Sequence, residues 1–140
     1  MLSSFHDFPW TGVIAGVATF AGLGAIYFMA LFPRQYLYAI GQENVSKTAQ
    51  PKPGVIFIIG PMVCSLLNVI GDAYLVRALD AQTIGQAAFI GLIVGVGFLV
   101  PMVFNIAINP LFPRPLRYGL LNAPYFLVAN VVACVLLVAI

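Results

Sequence analysis

Few side chains in this 140-residue chain have types and spacing that could do chemistry. The single histidine, His6, lies near the N-terminus with no cluster of Cys, Asp and Glu around it. A zinc centre needs three or four such donors, so no metal site is expected, and no buried imidazole is offered to a haem. Cys64 and Cys134 sit inside apolar runs without CxxC spacing and read as packed thiols. No Ser–His pair and no phosphate-binding loop appears. The sequence therefore predicts no catalytic residue, no cofactor and no enzyme.

Asp72 is the least expected side chain, because it stands in an apolar run with Asn68 four residues before it on the same helix face. A carboxylate inside a membrane is costly and marks a functional hypothesis, here proton or cation handling. Its place about one turn inside the end of its run favours a plainer reading. That reading is a boundary group reached by water and paired with Arg77 or with the start of the first helix.

A second polar set lies nearer the other membrane face. Asn105 and Asn109 share a face of the third run, and Asn122 and Tyr125 open the fourth. Counting at about 1.5 Å per residue puts Asn105 and Asn122 at similar depth. The expectation is a clamp, with Asn122 bonded to Asn105 or Asn109, or to carbonyls freed by Pro101. The alternative is a small polar pocket with Arg114 or Arg117 at its mouth for an anionic headgroup, and Arg34 as a further headgroup contact.

The elements that must position these groups follow from composition. Apolar residues make up 62% of the chain and charged residues 7%, against roughly 25% charge in soluble domains. A net charge of +2 is too small and scattered for a nucleic-acid surface. Four charge-poor runs, about 10–32, 54–76, 83–109 and 116–140, are each long enough to cross the hydrocarbon core. Open strands would leave backbone groups unpaired in lipid, and polar/apolar alternation is missing, so the runs are helices. The fold class is an all-α integral membrane protein, a single domain built as a four-transmembrane-helix bundle.

Pro61 and Pro101 should bend their helices, and Pro124 lies near the start of the fourth. Arg34–Ile40 could lie as a short interfacial helix closed by Gly41, followed by a solvated linker over 42–53. The N-terminus lacks the basic segment of a secretory signal. Arg34, Lys47, Lys52, Arg114 and Arg117 fall on one side of a four-span chain and Arg77 on the other. The positive-inside rule then gives N-out/C-out, in a bacterial cytoplasmic membrane. Phe5, Phe8 and Trp10 would anchor the outer interface, and Tyr36 and Tyr38 the inner one.

Gly12 and Gly16 form GxxxG in the first run, and Gly91 and Gly95 form it in the third. Such pairs let backbones approach closely where lipid supplies no hydrophobic drive between helices. They read as helix-packing faces, either within the bundle or toward a partner.

The segment FAGLGAIYFMALFPRQYLYAIG, through Gly24, Tyr27, Phe28, Phe32, Arg34, Tyr36 and Gly41, resembles the opening of a family of small four-helix membrane proteins known as domain of unknown function 1761. GVGFLVPMVFNIAINPLF is similar to that family's later pattern through Gly97, Phe98, Asn105, Leu111 and Phe112. LLNAPYFLVAN is similar to the opening of its last helix, through Asn122 and Tyr125. Ile26-Tyr27 stands where a Trp-Tyr pair is usual. The resemblance spans nearly the whole chain and implies four helices but no activity.

The function expected is a non-enzymatic accessory or stabilising subunit of a larger membrane complex, with membrane lipids and other membrane subunits as partners and no nucleic acid. The rival is a small oligomeric carrier or channel for ions or small solutes, with Asp72 and the asparagines along its path. A carrier needs an unbroken polar track. A packing subunit needs only isolated, satisfied polar groups.

Overall fold

The structure is a computed structural model that describes residues 8–45 and 54–140. His6, Phe5, Lys47 and Lys52 lie outside the described residues. Four helices are long and apolar enough to cross a membrane: Trp10–Leu31, Ile56–Ala78, Ile84–Ala107 and Pro115–Ala139. The expected spans match to within about two residues at most ends.

The first span is α1 (Trp10–Ala25) continued by a π-helical turn, Ile26–Leu31. Pro33 follows, and its ring cannot donate to the carbonyl of Met29. The chain widens instead, and the N–H of Phe32 bonds five residues back to Tyr27 O at 2.8 Å. The expected interfacial helix is present as α2 (Pro33–Ala39), and Gly41 closes it at φ 72°, where a side chain would be strained. The second span is α3 (Ile56–Ala78). A turn with Asp80 at φ 49° leads to a capping box, in which Gln86 N–H donates to Thr83 Oγ1 and Thr83 N–H donates to Gln86 Oε1.

The third span consists of α4 (Ile84–Val94), a π turn (Gly95–Leu99) and α5 (Val100–Ala107). The π turn ends just before Pro101 and contains Gly97, whose carbonyl the proline ring would otherwise crowd. The bend expected at Pro101 is therefore a widened turn. The fourth span, α6 (Pro115–Ala139), runs through Pro124 without a break in its helical assignment.

α6 is the centre of the bundle, with α1, α3 and the α4–α5 helix packed around it. Its buried residues, among them Gly119, Ala123, Ala129, Ala133 and Cys134, are small, and this lets three neighbours approach. The core joins Val13, Phe20, Val69, Ala73, Val76, Ile90, Ala129, Ala133 and Leu137. Both glycine pairs face inward. A Cβ on Gly12 would lie 2.9 Å from Leu137 Cα, and one on Gly91 2.8 Å from Val131 Cα. Gly16 meets Val69 and Ala133, and Gly95 meets the tip of Leu127. The glycine faces are spent within the bundle, all of them against α6 or α3.

Candidate functional site

Four polar side chains of the described interior gather where α3, α4 and α6 meet. Asn68 and Asp72 come from α3, Asn130 and Cys134 from α6, and the Gly91 carbonyl from α4. One Asn68 amide nitrogen donates to Asn130 Oδ1 at 2.6 Å and to Asp72 Oδ2 at 3.2 Å. Asn130 Nδ2 donates to Gly91 O at 3.2 Å. The Cys134 thiol and the Asn130 amide lie within hydrogen-bonding reach of the Asp72 carboxyl. Helical spacing makes the cluster: 68 and 72 are one turn apart on α3, as are 130 and 134 on α6. The missing side chain at Gly91 lets α4 come close enough to offer its carbonyl.

This arrangement corrects the reading of Asp72 as a wet boundary group. Asp72 is only 1% exposed, and its partners are amide and thiol groups, not Arg77 or the start of α1. The helix runs six residues past Asp72 to Ala78, and α3, α4 and α6 close around the carboxyl. Asn130, fully buried, and Cys134 complete the cluster, and sequence reading left both out of it. Asn130 carried the available signal, a polar amide deep in an apolar run. No buried side-chain nitrogen or oxygen among the described residues is left without a partner. No group of three or more His, Cys, Asp or Glu that could hold a metal occurs among them either.

The expected asparagine clamp is not formed. Asn122 is buried, but its Nδ2 donates at 2.8 Å to Tyr118 O of its own helix. Asn109 is exposed and caps the following turn, its Oδ1 accepting from Leu111 N–H at 3.0 Å. Asn105 is exposed on the outer side of α5. Equal depth did not bring Asn105 to Asn122, because their faces diverge around the helix axes. The bond that does join helices near this end is Tyr125 Oη to Phe20 O, 2.8 Å, from α6 to α1. Gly24 leaves the space for it, since a Cβ there would stand 3.0 Å from Tyr125 Oη. Tyr125 also heads an aromatic cluster with Phe20, Tyr27, Phe28 and Phe126, at ring-centroid distances of 4.8–6.4 Å. At the opposite end of the bundle, Phe8 packs against Trp10 and Tyr74.

The three arginines expected at headgroups lie together where α2 meets α6. Arg114 pairs with Glu43 at 2.5 Å, donates to the Tyr38 carbonyl and lies over the Tyr38 ring, its Cζ 3.6 Å from the centroid. Arg117 lies over the same ring at 5.0 Å. Arg34 and Arg117 line a cleft of about 750 Å³ beside Tyr38.

The Arg114 guanidinium holds the Glu43 carboxyl below the usual carboxylate range. A carboxyl shifted this way adds stability above its unfolded value and loses it as pH falls through the folded one. The tie between α2's following turn and α6 is therefore intact at neutral pH and opens only in acid. Followed by carboxyl NMR, Glu43 is expected to titrate below an ordinary glutamate and to return to the ordinary range in Arg114→Gln. Identical midpoints in the two proteins would show that the pair does not hold in the membrane.

The family described as "Protein of unknown function (DUF1761)" matches residues 11–138. No curated protein and no solved structure matches the chain.

Proposed function

Because the chain belongs to the DUF1761 family of unknown function, we propose a role from the features of the bundle itself: a non-enzymatic accessory subunit that packs against another integral membrane protein. The observation that carries this reading is the first half of α3. From Ile56 to Asn68 it buries no residue, and Ile56, Phe57, Ile58, Ile59, Met62, Val63 and Leu67 stand exposed around its circumference. Lipid covers apolar side chains at no hydrophobic cost, so association there is driven by packing. This half-helix has left the packing of its own bundle. An apolar groove lined by Ile14, Val17, Ile59, Met62, Val63 and Leu66 opens between it and α1. Gly60 and Cys64 on the same stretch keep its profile low for a neighbouring backbone. The glycine pairs, turned inward, take no part in this surface.

The interior polar groups support the same reading. They are satisfied and form no continuous track: two turns of α6 carrying Ala123, Tyr125, Phe126 and Ala129 separate Asn122 from the cluster at Asn130. Neither the arginine-lined cleft nor the α1–α3 groove reaches Asp72. The carrier reading keeps one observation in its favour, the buried carboxyl between two amides. Its signature would be ion- or proton-dependent transport in reconstituted vesicles that Asp72→Asn abolishes. In this proposal the arginine end faces the cytoplasm of a bacterial cell and both termini lie outside.

Purification of the chain from its native membrane in mild detergent is the test. A second integral membrane protein is expected at fixed stoichiometry, lost in a variant carrying Met62→Trp and Val63→Trp. A protein that migrates alone from the native membrane, with transport activity of its own, overturns the proposal.

A further inference from the structure

We propose that the cleft between α2 and α6 is a binding site for an anionic phospholipid, its phosphate held by Arg34 and Arg117. The cleft has two chemically distinct parts. Arg34 of α2 and Arg117 of α6 both line it, with the Tyr38 ring beside Arg117. Glu43 also lines the cleft, but its carboxylate is engaged by Arg114. Arg34 and Arg117 form no ion pair among the described residues, so two guanidiniums converge on one cleft without a counter-charge of their own. A planar guanidinium donates two parallel hydrogen bonds to a phosphate, which makes a phosphate oxygen pair the matching ligand.

The lower part is apolar. Leu120 and Leu121 line it, and Leu120 is two-thirds exposed on the lipid side of α6. Leu120 is five residues into the span, about 7.5 Å below its start. The cleft therefore runs from headgroup depth to acyl depth, with charge at the top and leucine below. A soluble phosphate would use only the arginines. A phospholipid uses both parts, and its chains lie where Leu120 faces lipid. Tyr38 also gives one arginine a fixed position. Of the two phosphate-binding arginines it is Arg117 that lies over this ring, beside the ion-paired Arg114, so that wall of the cleft is held in place before any ligand arrives, which lowers the ordering cost of binding. This site is separate from the α3 surface and does not depend on the accessory-subunit reading.

The test uses the full chain in mild detergent. Bound lipid is measured by mass spectrometry after exchange with vesicles of phosphatidylglycerol or of phosphatidylcholine. The wild type is expected to retain phosphatidylglycerol over phosphatidylcholine, and Arg34→Gln with Arg117→Gln to lower that retention about tenfold or more. Arg77→Gln, far along the chain at the other end of the bundle, is the control and leaves retention unchanged. Both arginines are exposed, so the double variant should keep its helical content and melting temperature. Should it unfold, the two single variants carry the test, each with a smaller loss. Glycerol phosphate in excess separates the two sources of phosphate. Failure to displace the lipid supports the acyl part of the site, and full displacement shows a site for soluble phosphate and overturns the proposal. Equal retention of both lipids, or no loss in the arginine variants, overturns it as well.

Discussion

Gly91→Leu is expected to prevent assembly of the bundle, and Gly91→Ala to destabilise it more than Gly95→Ala does. A Cβ at position 91 would meet Val131 Cα at 2.8 Å and Asn130 O at 3.2 Å, which are backbone atoms of the central helix. Backbone cannot swing aside as a side chain can, so α4 and α6 must separate. Overfilling a packed contact costs about 1–3 kcal/mol where side chains can adjust, and more where they cannot. Separation also withdraws the Gly91 carbonyl from Asn130 and disturbs the cluster around Asp72. At Gly95 the obstacle is the Leu127 Cδ1 tip, which a rotamer change relieves. Leu99→Ala, at a half-buried position, should be milder than either. Thermal unfolding in detergent gives the order, and equal melting temperatures for the alanine variants at 91 and 95 would show that α4 and α6 do not meet through backbone.

The second large effect is at Asp72. Asp72→Leu should destabilise by about 1–3 kcal/mol, because it removes one of the two bonds of the Asn68 amide, its bond to Asn130 remaining, and leaves the buried Cys134 thiol without its acceptor. Asp72→Asn keeps one oxygen facing Asn68 and should cost no more than the roughly 0.6 kcal/mol typical of a hydrogen bond between membrane helices. The gap between the two variants is the diagnostic. A structural cluster tolerates the amide and fails with leucine. Equal tolerance of both would mean that the carboxyl contributes nothing to packing, and its burial would then need a functional cause.

The four spans were legible because length and charge depletion alone decide them, and so was the pairing of Arg114 with Arg117, since both stand where a short proline-rich loop enters the last helix. The turn at Gly41 was legible from a glycine after an aromatic helix. Which face of each helix points inward was not. Lipid-facing and core-facing positions are equally apolar, so the periodicity that marks a soluble core is absent. Asn130 was passed over for this reason, and Asn105 was assigned a partner on depth alone. Depth is linear in residue number, whereas facing advances by about a quarter turn per residue, so helices level with one another can still point their side chains apart. Asp72 shows the converse error: nearness to a span end does not give access to water when three helices meet there. The third helix ends at Ala107, two residues short of the expected 109, because Asn109 folds back to cap the next turn.

The interface proposed on the first half of α3 has a direct test. Photo-cross-linking residues placed singly at Met62, Val63 and Leu67 test it in the native membrane, with Phe89 on α4, equally exposed to lipid, as the control. One discrete adduct to one integral membrane protein of different sequence is expected from all three α3 positions, and none from Phe89. Lipid adducts alone at all four positions, or adducts only between copies of this chain, would contradict it.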